Sequence, residues 1–118
     1  MRSIRVETST ATILLTEAPA PKVRDRQTGE IAKDAVSGEA LMKVGVVYID
    51  EGESALIHVA VPESGVSDGL VLGAPVALPG LIARPWDSVF NGQPRHGIAY
   101  RAAAVTAGAV LATSGAGA

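Results

Sequence analysis

The run Leu41-Met42-Lys43-Val44-Gly45-Val46-Val47-Tyr48-Ile49-Asp50, then Glu51-Gly52-Glu53-Ser54, then Ala55-Leu56-Ile57-His58-Val59-Ala60-Val61-Pro62-Glu63, organises this chain. Two β-prone arms flank a short acidic turn containing Gly52, which is the pattern of a hairpin. On the first arm Met42, Val44, Val46 and Tyr48 fall on one face, and Lys43 and Gly45 on the other. On the second arm Ala55, Ile57, Val59 and Val61 share a face, and His58 points away from them. A period of two on both arms calls for one buried face and one wetter face. Val44, Val46, Ile57, Val59 and Val61 are therefore the expected core. A lone hairpin is unstable in water, so other strands must close around it.

Upstream of the hairpin, residues 8–16 are rich in Thr, Ile and Leu and read as strand. Pro19 and Pro21 follow, which suits an edge or a bend rather than a central strand. Residues 22–26 resume the strand. Next comes an echo: Arg24-Asp25-Arg26-Gln27-Thr28-Gly29-Glu30 and Lys33-Asp34-Ala35-Val36-Ser37-Gly38-Glu39 share the pattern basic-Asp-x-x-Thr/Ser-Gly-Glu. Asp opening a turn and Gly at a positive φ is turn chemistry, so two consecutive turns are expected there. Their tips would present Arg24, Arg26 and Lys33.

Downstream, residues 62–75 are interrupted by Gly65, Gly69 and Gly73 and leave room for one short helical turn only. Residues 76–83 read as a strand bent sharply at Pro79-Gly80. Residues 84–97 read as a polar loop carrying Arg84, Trp86, Phe90, Arg95 and His96, and residues 98–106 as the last strand. Lys43 and Arg101 sit on the polar parity of their strands and are expected to be exposed.

At 118 residues this is one domain, placed at 1–107, with an uncharged Ala/Gly/Thr-rich tail at 108–118 expected to be disordered and dispensable. With hydrophobic residues at 47%, the chain should fold; with aromatics at 3%, its core must be aliphatic. Net charge is −2, which argues against a strongly basic nucleic-acid protein, but the charge is segregated. Residues 22–43 hold five basic and four acidic side chains, residues 84–101 three basic and one acidic, and residues 50–68 five acidic and none basic. The absence of cysteine excludes a disulfide scaffold and fits the cytoplasm. No signal peptide or membrane span is expected.

Catalysis finds little support. Gly65-Val66-Ser67-Asp68-Gly69 has the spelling of a nucleophile elbow, but that motif needs a strand, a following helix and a hydrolase sheet, so it reads as a chance match. His58 and His96 lack metal-ligand spacing, and no phosphate or dinucleotide loop occurs. No enzyme activity, cofactor or metal is expected. Trp86 has two readings: a bulky plug at the barrel rim, preferred because the chain is so poor in aromatics, or a base-stacking platform.

The expected fold is all-β: a five-stranded, OB-like antiparallel Greek-key barrel with little helix, its strands at 10–26, 41–50, 54–62, 76–83 and 98–106. In such barrels the long loops between strands 1–2 and 4–5 handle oligonucleotides. Here those are 22–39 and 84–97, the two locally positive stretches. The expected partner is single-stranded DNA, contacted by Arg24, Arg26, Lys33, Lys43, Arg84, Trp86, Arg95 and Arg101. The alternative is an interaction module that recruits a replication or recombination protein without touching DNA. A homo-oligomer is compatible with either.

Several of these stretches also carry a resemblance. Asp34-x-x-Ser37-Gly38-Glu39 leading into Val44-Gly45-Val46-Val47, then Ile57-His58-Val59-Ala60-Val61-Pro62, then Gly73-x-Pro75-Val76-x-Leu78-x-Gly80-Leu81-x-Ala83-Arg84-Pro85-Trp86, then Gly97-Ile98-Ala99-Tyr100-Arg101-Ala102, are similar to small proteins of actinobacterial integrative and conjugative elements, the plasmid replication, integration and excision activators. Residues 69–81 are similar in layout to single-stranded DNA-binding proteins. The resemblance covers roughly residues 22–106. It implies a DNA-linked role on a mobile element and supplies no catalytic residues.

Overall fold

A computed structural model of the chain describes residues 3–25 and 27–108; of Asp25 and Phe90 only the backbone is described. The central hairpin forms as its alternation demands. β5 (Leu41–Asp50) and β6 (Glu53–Pro62) pair over ten residues each. Met42 lies opposite Val61, Val44 opposite Val59, Val46 opposite Ile57 and Tyr48 opposite Ala55, so the two apolar faces coincide. Glu51 (φ 52) and Gly52 (φ 81) close it as a two-residue turn whose twist matches the strands. Glu51 takes the left-handed conformation without being glycine.

β2 (Thr12–Pro21) pairs antiparallel with β5 and adds Ile13 and Leu15 to the same buried face. Its register shifts between Leu15 and Glu17 and again between Glu17 and Ala20. Pro19 and Pro21 are tolerated because β2 ends the sheet. On the other side, β8 (Ile82–Phe90) and β9 (Gln93–Arg101) form a second long hairpin, and β1 (Ile4–Arg5) pairs with the start of β8. The order across this six-stranded, curled sheet is β1-β8-β9-β6-β5-β2. Every junction is antiparallel except β6–β9, where Val59 pairs with Tyr100 and Ala60 with Arg101. Six strands in one curled sheet, with one parallel junction, thus stand where five antiparallel ones were expected.

Two small sheets complete the chain. β3 (Val23–Asp25) and β4 (Glu30–Ile31) form the first turn of the echo, and β7 (Val76–Ala77) pairs with β10 (Thr106–Ala107). Gly29 (φ 73) and Gly38 (φ 76) take the positive φ that both echoed turns require. Pro79-Gly80 is a full turn, with the Leu81 N–H donating to the Leu78 carbonyl. It splits the strand expected over 76–83 into β7 and β8. A single 3₁₀ turn, Glu63–Gly65, is the only helical element among the described residues. No helix there is long and apolar enough to cross a membrane.

The core lies inside the curl. Leu15, Val44, Val46, Val59, Val61 and Val105 are its largest fully buried side chains, joined by Ile13, Val76, Leu78 and Leu81. Ile57 is half-buried against it, as are Tyr48 and Tyr100. Gly108 is held by its N–H donating to the Pro75 carbonyl (2.9 Å). The rest of the expected tail, and Arg26, lie outside the described residues.

Candidate nucleic-acid surface

Residues 84–97 are not a loop. They are an arm, since β8 and β9 pair over nine residues and continue well past the core. Asn91 (φ 51) and Gly92 (φ 75) form its two-residue tip. Asn-Gly is a strong local hairpin signal, and it was legible in the sequence. Pro85, Pro94 and Gly97 obscured it. Prolines suit strands with an open edge, and beyond its pairing at Val59 and Ala60 the arm is flanked by no third strand among the described residues.

Register sorts the arm's side chains. At its base Ala83 lies opposite Tyr100, which pairs with Val59 and packs against the core. Successive residues alternate faces, and partners directly opposite share one. Arg84 (opposite Ala99), Trp86 (opposite Gly97) and Ser88 (opposite Arg95) therefore stand on the outer face, away from the core. Pro85, Asp87, Val89, Pro94, His96 and Ile98 take the other. The same outer face continues across the sheet through Arg101, Ala60 and Lys43, which lie in one row. Five of the eight side chains expected to bind DNA thus share one side of one sheet. The arm's single carboxylate, Asp87, is on the opposite side.

Trp86 leans across the strand gap onto Gly97. A Cβ built on Gly97 would stand 2.7 Å from the indole Cζ2, 2.9 Å from Cε2 and 3.2 Å from Nε1. The residue remains 41% exposed and is not part of the buried cluster. The preferred reading of Trp86 as a barrel plug is therefore corrected: the buried cluster among the described residues is aliphatic, with Tyr48 and Tyr100 packed against it, and the indole lies on the surface of the arm.

The remaining cations differ in how they are held. Lys43 and Arg84 are exposed and have no carboxylate partner among the described residues. Lys33 is exposed beside the second turn. Arg24 is exposed on β3 and pairs loosely with Glu30 at 3.6 Å. Arg101 is half-buried, not exposed as its parity suggested, because its guanidinium donates to the buried carboxylate of Asp34. The other Asp34 oxygen accepts from the Ser37 hydroxyl (2.7 Å) and backbone N–H (3.1 Å). Arg101, and next Ser37, hold the Asp34 carboxyl well below the usual carboxylate range, outweighing its desolvation. This pair ties the 32–40 turn to the end of β9. Sequence reading caught the turn and missed the tie, which spans 67 positions and leaves no local signature.

Two acidic groups share the outer face: Asp34, held by Arg101, and Glu17. Glu17 extends over Gly45, where a Cβ would meet its side chain at 2.7 Å, and its carboxylate lies 3.2 Å from His58 Nε2. Tyr48 serves the fold: its hydroxyl donates to the Glu7 carbonyl (2.7 Å), pinning residues 6–11 over the sheet. The spelled nucleophile elbow is used for packing. Gly65 lies against the Ala103 carbonyl, and the Ser67 N–H donates to the Val105 carbonyl. No group of three or more His, Asp or Glu side chains placed to hold a metal ion occurs among the described residues.

No family model, no curated protein and no solved structure matches this chain.

Proposed function

We propose that the protein binds single-stranded DNA along the outer face of its sheet, as a non-enzymatic accessory factor in replication or transfer of a mobile element. The observation that carries this reading is the shared face: Lys43, Arg84, Trp86, Arg95 and Arg101 stand on one side of the sheet, running from β5 out along the β8–β9 arm. A cationic track with an exposed aromatic is what sequence-tolerant single-strand binding needs. Segregation lets a chain of net charge −2 present it, because Asp50, Glu51 and Glu53 cluster at the far hairpin tip. The topology supports the OB-type reading. A three-strand meander (β2, β5, β6) meets β9 in parallel, and β8 returns to pair with the N-terminal β1. The link to mobile elements and the cytoplasmic setting rest on the sequence.

Fluorescence anisotropy of labelled oligo-dT across a salt series tests the proposal. Binding that weakens linearly in log-log form, by about 0.7 per phosphate contact, supports it. A second reading rests on a different observation. Beyond Val59–Tyr100 and Ala60–Arg101, β6 over residues 53–58 and β9 over residues 93–99 have open edges facing the gap between the two hairpins. Such edges can accept an extended peptide, as in recruitment of a replication or recombination protein. Absence of oligo-dT binding at low salt would move that reading ahead.

A further inference from the structure

The contact between Trp86 and Gly97 has a chemical consequence. Three consecutive atoms along one side of the indole occupy the space in which any other residue at position 97 would carry its Cβ. Gly97 has no positive φ, so glycine is not needed there for the backbone. It is needed for the ring. Resting on a neighbour without a side chain, the indole is held against the arm on one side while 41% of the residue stays open to solvent. Arg84 precedes it by two positions on the same face, and Arg95 stands diagonally across from it, opposite Ser88. An aromatic surface held down on one side and flanked by two cations can take a flat ring from above and the phosphates on either side of it.

We infer that Gly97 is a positioning residue that sets Trp86 as a platform for one unpaired nucleobase. The inference rests on the single-strand reading above and adds that the bases, not only the phosphates, are bound. Trp86 is the single tryptophan of the chain, so its emission reports this contact without a label.

Two probes of equal charge separate the possibilities: oligo-dT, and an abasic oligomer of the same length with the same phosphates and no bases. Wild type should bind oligo-dT about 5- to 150-fold more tightly than the abasic oligomer, the span expected for stacking one base. Oligo-dT should quench Trp86 and the abasic oligomer should not. Gly97→Ala should erase the preference and the quenching while leaving affinity for the abasic oligomer unchanged, as a structural lesion of the sheet would not. Trp86→Leu, which leaves Gly97 in place, should lose the same preference, so the result does not depend on Gly97→Ala folding well. Equal binding of both probes by wild type, or a Gly97→Ala protein that keeps the full preference, would overturn the inference with the DNA reading intact. Binding of neither probe would overturn both.

Discussion

Removing the two unpaired outer-face cations together, as Lys43→Ala/Arg84→Ala, isolates electrostatics from folding. Both side chains are exposed and make no ion pair among the described residues, so the double variant should unfold within about 0.5 kcal/mol of wild type. Binding should respond far more. Each phosphate contact on a single strand contributes about 0.7 to the slope of log affinity against log salt, so losing two should flatten the slope by about 1.4. Counted from 1 M salt, where this contribution vanishes, the same two contacts amount to about 1.4 decades at 0.1 M, or about 25-fold. That corresponds to about 2 kcal/mol of binding energy. Anisotropy with labelled oligo-dT from low to high salt reads both quantities. The loss should be equal for oligonucleotides of different sequence, since phosphates carry no sequence information. A double variant that binds oligo-dT with the wild-type slope would refute the assignment of this face.

Three further outcomes follow from particular contacts. Val59 is fully buried and Leu56, three residues away on the opposite face, is 77% exposed. Val59→Ala should cost about 2–3 kcal/mol in denaturant unfolding, and Leu56→Ala less than about 0.5 kcal/mol. Asp34 titrates well below the ordinary carboxyl range when folded, so its contribution is complete above about pH 4 and is lost as pH falls toward the folded value. Asp34→Asn should therefore melt below wild type near neutrality by a gap that stays constant down to about pH 4 and narrows below it; a gap that does not narrow there would contradict this. Glu17→Gln should tighten oligo-dT binding by about two- to five-fold at low salt and not at high salt, because its carboxylate lies on the same face as the cations.

Legibility in the sequence followed proximity to the core. The β5–β6 hairpin and its buried face were readable, because burial of one face forces a period of two; the register was not, since a slip of two residues keeps the same faces matched and the turn proved to be Glu51-Gly52 alone. The echoed turns were readable because glycine at a positive φ is a local requirement. The arm was not read as strand. It projects beyond the core, so nothing imposes an apolar alternation on Pro85, Asp87, Arg95 or His96, and its pairing is with itself. Its one local signal, Asn91-Gly92, is outweighed in a composition scan by two prolines and four charges or imidazoles. At the site, the cationic residue types were legible and their common face was not, since it depends on the parallel register of β6 with β9. Trp86 was misjudged for a related reason. A shortage of aromatics suggested that its bulk was needed inside, whereas mostly valine, leucine and isoleucine fill the curl and the ring rests on a glycine eleven positions away.

The most direct test of the shared face is a residue-by-residue map of binding. In ¹H–¹⁵N spectra of the full chain titrated with oligo-dT at low salt, the shifts should concentrate along one track. That track comprises Lys43, Ala60 and Arg101, the arm positions Arg84, Ala99, Gly97 and Arg95, and the Trp86 indole N–H, with the acidic tip at Glu51 and Gly52 unmoved. Shifts centred on the open β6 edge at residues 53–58 with Lys43, Arg84 and the Trp86 indole unmoved, or a spectrum indifferent to the oligonucleotide, would contradict it.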